Sequence, residues 1–408
     1  MTEKRKNIDK VPNLRFPEFE DEWEKKKFSK YIKLFRGSSP RPIVKFITKD
    51  ENGVNWIKIG DTKNTDNSII NNVEEKITIE GARKSRKVTN GELILANSMS
   101  FGKTYQLSID GYIYDGWFVL REYENYFEKS FLLQLLNSDY LQKQYKRLSA
   151  GGVVQNISSE IVYETILIRP SLQEQKKISS FLSLIDENIT TQRKTIESLE
   201  SLIKGVSQKL LTQKVRFKKF TDEWKDKRLG EICNFYKGSP LSKNNILEDG
   251  NSKCIHYGEL FTTYKVVISE IISRTNKRGF KSEIGDILMP SSDVTPLGLA
   301  TASAILEGNV ILGGDINIIR PTIELNSVFL SYLLNFGKKK IIELVSGTTI
   351  KHIYSKDLKQ IKISIPNIEE QTKIADFLSK ISDKIETEKK ILELLEQQKK
   401  YFLQNLFI

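Results

Sequence analysis

Along the 408-residue chain, two stretches repeat apolar residues at alternating spacings of four and three. The first runs through Ile178, Leu182, Ile185, Ile189, Gln192, Ile196, Leu199, Ile203, Val206 and Leu210. The second runs through Ile374, Leu378, Ile381, Ile385, Glu388, Leu392, Leu395, Lys399, Phe402 and Leu406, each 196 residues after its counterpart. A helix packed on a globular surface drifts toward a 3.6-residue period, so an unbroken 4-3 pattern of this length predicts a coiled-coil seam. Ile178 to Leu210 would extend roughly 50 Å at about 1.5 Å per residue. Pro170 and Pro366 stand just ahead of the two helices, where a missing N–H costs nothing. Gln192 and Glu388 interrupt both seams at the same step, a device that sets register at some cost in stability. The alternative uses of such a stripe, as plain domain core or as a seam between two copies of the chain, remain open at this level.

The stretches between the seams read differently. Short β-branched and aromatic runs such as WIKIG and YIYDGWFVL alternate with Gly/Asn/Asp turns, and each series ends in a helical pattern, SFLLQLLNSDYLQKQYKRL or VFLSYLLNFGKKKIIELV. The expected class is α+β: two mixed α/β globules separated by two long helices that form an antiparallel intramolecular coiled coil. The boundaries expected are a first globule over 1–170, a first spacer helix over 171–213, a second globule over 214–366 and a second spacer helix over 367–408.

The two halves are copies. RFPEFEDEWEKKKF from Arg15 returns as RFKKFTDEWKDKRL from Arg216, matching Phe16, Phe19 and Trp23 to Phe217, Phe220 and Trp224. GELILANS from Gly91 resembles GDILMPSS from Gly285, and WFVLR from Trp117 resembles INIIR from Ile316. The offset drifts between 194 and 201 before settling at 196, so the loops differ in length while the framework persists. A repeat this long is a duplicated domain rather than a solenoid unit. The aromatic opening motif is expected to pack, tying the start of each globule to a core.

Composition then narrows the chemistry. Lys+Arg 64 against Asp+Glu 52 leaves a net charge of +12, which points to a polyanionic partner, nucleic acid ahead of a membrane surface. No apolar run is long enough to span a bilayer, and MTEKRKNIDK lacks a signal-like apolar stretch, so a cytoplasmic protein without membrane contact is expected. Cys233 and Cys254 fit a reducing compartment. With only His256 and His352 besides, no zinc site of the usual spacing can be built. Both histidines are expected to be ordinary packed or surface imidazoles. There is no G-x-G-x-x-G turn, the Gly-Lys pairs at Gly102 and Gly337 lack the rest of a phosphate loop, and no two prolines are adjacent. Nucleotide sites and the Asn-Pro-Pro-aromatic grip of amino-methyltransferases are thereby excluded, and acidic-x-Lys matches such as Glu24 to Lys26 arise by chance at this charge density. No active site is expected.

Loops that combine cations with small hydrogen-bonding side chains are the candidate binding residues. In the first globule these are Arg36, Ser38, Ser39 and Arg41, then Arg83, Lys84, Ser85 and Lys87, then Asn97, Ser98 and Lys103, and finally Gln155 and Asn156. In the second they are Lys237, Ser239 and Lys243, then Lys277 and Arg278, then Ser291 and Ser292, and finally Thr348, Thr349, Lys351 and His352. Lys and Arg neutralise phosphates or read guanine edges, and Asn and Gln pair with adenine. Each loop taken singly is equally a solvated turn.

Two variable globules, each followed by Pro-x-x-x-Glu-Gln and a heptad helix (PSLQEQKKISSFL and PNIEEQTKIADFL), with the paired GELILANS and GDILMPSS strands, resemble the specificity subunit of type I restriction-modification enzymes. The likeness covers nearly the whole chain. It implies that each globule reads one half of a bipartite, asymmetric double-stranded DNA target, and that the heptad helices receive two methyltransferase (modification) subunits and the restriction/translocase subunits. It also implies that this chain binds no cofactor, while S-adenosylmethionine, ATP and Mg2+ are held by the partners. A coiled-coil scaffold that binds DNA without sequence preference, or a self-sufficient methyltransferase or nuclease, would be the competing classes.

Overall fold

The computed structural model describes residues 11–63, 65, 68–98, 102–149, 156–293 and 295–407. Two compact units are present: Met1–Lys194 with Lys390–Ile408, and Thr195–Lys389. Both long helices, Leu172–Leu211 and Ile368–Asn405, therefore contribute residues to both units.

In the first unit a five-stranded sheet runs in the order Lys33–Arg36, Trp117–Arg121, Leu93–Ala96, Thr104–Leu107, Ile69–Ile70. Leu93–Ala96 is buried at every residue, which explains why its sequence is a continuous apolar run instead of an alternation. A second five-stranded sheet follows the order Ile47–Thr48, Glu75–Ile77, Val54–Ile57, Gly111–Ile113, Arg86–Val88. In the second unit the principal sheet repeats the same order, Cys233–Lys237, Ile316–Pro321, Ile287–Pro290, Ser303–Ile305, Val267–Ile268, beside a smaller sheet of Arg274–Thr275, Ser252–Ile255 and Ile311–Leu312. The shared strand order is the duplication seen in three dimensions.

The terminal helical pattern of each globule, expected as one helix, is two. Lys129–Asn137 stops at Ser138, whose backbone is extended and whose Oγ donates to the Leu135 carbonyl at 2.6 Å, before Asp139–Ser149 begins. Ser327–Phe336 stops at Gly337 before Lys338–Ile342. A hydroxyl that caps a carbonyl, or a glycine that weakens the helix, breaks a pattern whose apolar spacing alone would continue.

The repeated motifs meet at the start of each long helix. Ser171 Oγ accepts from the Glu174 N–H, and Asn367 Oδ1 from the Glu370 N–H, as N-caps behind the prolines. Glu174, 1% exposed, receives Arg15 through Nε at 2.7 Å and Nη2 at 2.8 Å, and Trp23 Nε1 at 3.2 Å. Glu370 receives Arg216 and Trp224 in the same way. Gln175 accepts from the Glu128 N–H at 2.8 Å and donates to the Pro170 carbonyl, while Gln371 accepts from the Asn326 N–H at 2.9 Å and donates to the Pro366 carbonyl. Glu128 and Asn326 in turn cap the first helix of each terminal pair. The opening motif is thus the packing anchor its aromatics suggested, and the Glu-Gln pair is the latch it closes on.

The seam positions are all buried or half-buried. In the first unit Ile178, Leu182, Ile185 and Ile189 share one core with Leu406 and Phe407 and with the globule's Phe131, Leu132 and Leu135. Phe181 meets Phe402 at 4.8 Å between ring centroids, Asp186 pairs with Lys399, and Arg193 with Glu396 at 2.7 Å. One partner ascends as the other descends, so these segments are antiparallel. In the second unit Ile203, Val206 and Leu210 pack with Ile374, Ala375 and Leu378, and Glu200 pairs with Lys389 at 2.6 Å. The seam and the domain core are one continuous apolar body in each unit, so the 4-3 stripe serves both purposes.

Candidate nucleic-acid interface

Strand register collects the candidate loops of the first unit at one end of its principal sheet. Arg36 pairs with Phe118, Phe118 with Leu95, and Leu95 with Thr104. The chain therefore leaves this end at 37–41, 97–98 and 114–116, and returns to it at 102–103. Ser98 bridges to Asn156, adding the loop before the last strand. The 83–87 segment joins through Ser38 Oγ, which donates to the Lys84 carbonyl at 3.2 Å, and through Arg86 Nε, which donates to the Arg36 carbonyl at 2.5 Å.

Gly37 is needed for this convergence, because a Cβ there would lie 1.9 Å from the Tyr114 carbonyl oxygen. Asp115, which the sequence reading missed, is the hub. Its carbonyl accepts from Arg36 Nε at 3.2 Å and from Asn97 Nδ2 at 2.9 Å. Its carboxylate accepts from Ser39 Oγ at 2.6 Å and lies 3.6 Å from Arg41. The Ser39 hydrogen bond, ahead of the nearby Arg41 and Arg36 charges, holds its carboxyl below the usual carboxylate range. An acid inside a basic run carries no motif of its own, so only its contacts reveal it.

Arg36, Arg41, Arg83, Lys84, Lys87, Lys103 and Asn156 are exposed, and Ser38, Ser39, Ser85 and Ser98 are half-buried. Lys84 lies 3.1 Å from Glu80, and Ser85 Oγ donates to the Gly81 carbonyl. Among the described residues, no carboxylate pairs with Arg83, Lys87 or Lys103, which leaves three cations for an outside anion. Asn97 is 5% exposed and supports the loop from beneath. Gln155 lies outside the described residues.

The second unit repeats the plan with other residues. Lys237 pairs with Asn317, Asn317 with Met289, and Leu288 with Ser303, so the corresponding turns leave the corresponding end of the sheet. Ser292 pairs with His352 and Asp293 with Lys351, in the place of the Ser98–Asn156 bridge. Ser239 Oγ accepts from the Phe280 N–H at 2.8 Å and so ties the 277–281 segment to the 237–240 loop. Gly238 repeats the tight approach, since a Cβ would lie 1.9 Å from the Gly313 carbonyl oxygen. Lys237, Lys243, Lys277, Arg278, Thr348 and Thr349 are exposed; Ser239, Ser292, Lys351 and His352 are half-buried. Lys351 Nζ donates to the Gly347 carbonyl at 2.7 Å, and the His352 ring stacks on Tyr354. Ser291 is 3% exposed and its N–H donates to the Asp315 carbonyl, a framework position.

The other residues weighed for chemistry are structural. Burial holds His256 below the usual imidazole range, against the opposing pull of Glu259, and its Nδ1 accepts from the Gly258 N–H at 3.2 Å. Burial pushes the Cys233 thiol up to about 12 and the Cys254 thiol up to about 11. Among the described residues no group of three His, Cys, Asp or Glu side chains could hold a metal, and no helix is long and apolar enough to cross a membrane.

Comparison with known proteins gives consistent matches. The family described as Type I restriction modification DNA specificity domain matches residues 20–201 and 221–397. The chain is 25% identical over 436 residues to the type I restriction enzyme MjaVIII specificity subunit of Methanocaldococcus jannaschii, covering 97% of this chain and 94% of that one. It is 30% identical over 308 residues to the putative MjaX specificity subunit of the same organism, covering 69% and 68%. Among solved structures, the type I restriction-modification S subunit from M. genitalium aligns with a TM-score of 0.60 at 18% identity, over 98% of this chain and 99% of that one. A chain from a study of complex assembly and conformational transition of the type I R-M system aligns with a TM-score of 0.60 at 17% identity, over 94% and 97%.

Proposed function

The chain belongs to the type I restriction-modification DNA specificity family, a family of DNA-recognition rather than catalytic subunits, and we propose that each of its two units reads one half of a bipartite, asymmetric double-stranded DNA target. The observation that carries this reading is the equivalence of place without equivalence of residue. In both units the same end of the same sheet gathers a glycine-tightened loop, a basic segment and the loop before the last strand. The exposed side chains there differ: Arg36, Arg41, Arg83 and Lys87 in one, Lys237, Lys243, Lys277 and Arg278 in the other. Duplication keeps the scaffold, and divergence at the loops makes two readers of unlike sequence. Cations at these positions neutralise phosphates and set orientation, while the serines, threonines and amides beside them reach base edges.

In this reading the chain binds no cofactor. Two methyltransferase subunits bring S-adenosylmethionine, and restriction/translocase subunits bring ATP and Mg2+. They dock on the long helices, whose faces away from the seam carry exposed charged residues, and the assembly works in the cytoplasm. The test is to map methylated adenines in cells that carry the complete system, then to exchange residues 1–170 for those of a relative with a different first globule. One half of the methylated motif should change and the other should persist. A motif that changes in both halves, or binding by the full chain that a random duplex competes as well as the target does, would refute the proposal.

A further inference from the structure

The turn that leads into Trp117–Arg121 in the first unit and Ile316–Pro321 in the second carries an aspartate in both, but not at the same place. Strand register aligns Trp117 with Ile316, because Trp117 pairs with Ala96 and Ile316 with Pro290. The Asn97 N–H donates to the Gly116 carbonyl and the Ser291 N–H to the Asp315 carbonyl, so Gly116 and Asp315 are equivalent. Asp115 stands one residue earlier.

This shift changes what each carboxylate can do. In the first unit a side chain at position 116 would have to displace the Tyr114 ring, since a Cβ there would lie 2.2 Å from it. Asp115 is occupied by Ser39 and Arg41. In the second unit Gly313 stands in the place of Tyr114, so no ring there competes with the Asp315 side chain. The counterpart of Ser39 is Pro240, which has no hydroxyl, and the counterpart of Arg41 is Ser242. Asp315 is exposed, with the His256 ring within its electrostatic reach, and among the described residues no hydrogen bond or ion pair engages its carboxylate. The turn packs on the basic loop, with the Ser239 N–H donating to the Leu312 carbonyl at 2.9 Å and the Gly314 Cβ position 3.4 Å from Pro240.

A carboxylate without a hydrogen-bonded or ion-pair partner on a phosphate-facing surface repels the backbone of any duplex, so it weakens binding unless a base-edge donor meets it. Cytosine N4–H₂ is the donor that an aspartate accepts from in the major groove. Resting on the proposed reading of the chain as a half-site reader, we infer that Asp315 is a specificity-determining residue of the second unit, accepting a hydrogen bond from the N4 amine of a cytosine. The first unit, with its acid neutralised and Gly116 in this place, has no counterpart contact.

The test uses the complete system expressed in cells, with the methylated motif mapped for wild type, Asp315→Ala and Asp115→Ala, and the full chain in duplex-binding assays. Asp315→Ala removes the carboxylate but keeps the backbone carbonyl that holds Ser291. One cytosine position in one half of the motif should relax, with discrimination there falling at least about fivefold, while affinity for random duplex at low salt rises. A merely structural residue would not move these two readouts in opposite directions. Asp115→Ala should lower affinity without relaxing a cytosine. If wild type yields a bipartite motif and Asp315→Ala leaves every position intact, or relaxes an adenine, guanine or thymine instead, the assignment is overturned while the half-site reading stands. If wild type yields no bipartite motif, the half-site reading itself fails.

Discussion

Replacing Glu174 with Gln isolates the latch between the first unit's opening motif and its long helix. The carboxylate takes three hydrogen bonds, two from Arg15 and one from Trp23, with side-chain exposures of 2% for Glu174 and 13% for Arg15. Gln keeps the shape, but its single oxygen cannot serve all three donors, and its NH₂ group must face the guanidinium or the indole N–H. Breaking one side of a buried pair costs about 3–5 kcal/mol. Arg15 can recover some water at its partly exposed edge, so the low end applies, about 3 kcal/mol. For a unit of this size that corresponds to a fall in midpoint of roughly 6–12 °C. The assay is thermal and urea unfolding of the full chain followed by tryptophan fluorescence, since Trp23 reports directly on the site. Glu370→Gln should act equally on the second unit, which Trp224 reports. Lys33→Ala, which breaks an ion pair with Glu122 at side-chain exposures of 63% and 55%, is the control and should change stability by less than about 1 kcal/mol. A double Arg15→Met, Glu174→Met variant should be less destabilised than the sum of its single changes, because it leaves no charge buried alone. A cost below about 1 kcal/mol for Glu174→Gln, or strict additivity in the double variant, would refute the reasoning.

Three further outcomes are expected. Lys26 and then Arg169 hold the Glu24 carboxyl down from its ordinary 4.5 to about 2. Its contribution to stability should therefore be fully present above about 4.5 and be lost as pH falls through about 2, and Glu24→Gln should flatten that part of an acid-unfolding curve. Cys233 and Cys254, buried with thiols pushed up to about 12 and 11, should resist a thiol reagent at pH 8 in the folded chain and react with two equivalents once urea unfolds it. Lys87→Ala and Arg83→Ala should each reduce the slope of log affinity against log salt by about 0.9, uniformly across DNA sequences, as phosphate contacts do; a loss confined to one base position would reassign that residue to base reading.

Much of the fold is legible because it depends on local period and on repetition. The 4-3 spacing of the seams, the buried run LILA and the duplicated RFxxFxxEW and Pro-x-x-x-Glu-Gln motifs each carry their own physical signature, and similarity at a distance of about 200 residues announces two copies. The candidate loops are legible as a class for the same reason: cations beside small polar residues, bounded by glycines, are surface turns suited to phosphates. What each loop residue does is not legible there. Asn97 and Ser291 look like base readers in the chain but lie beneath the surface, and Asp115 and Asp315 look like incidental acids but stand at the centre of the loop clusters. Those roles depend on which carbonyl, hydroxyl or ring meets a side chain across the sheet end, and such contacts join residues up to about 80 positions apart. The fusion of seam with domain core was likewise decided by packing. A period states which face of a helix is apolar; only the tertiary structure decides how many partners that face must bury.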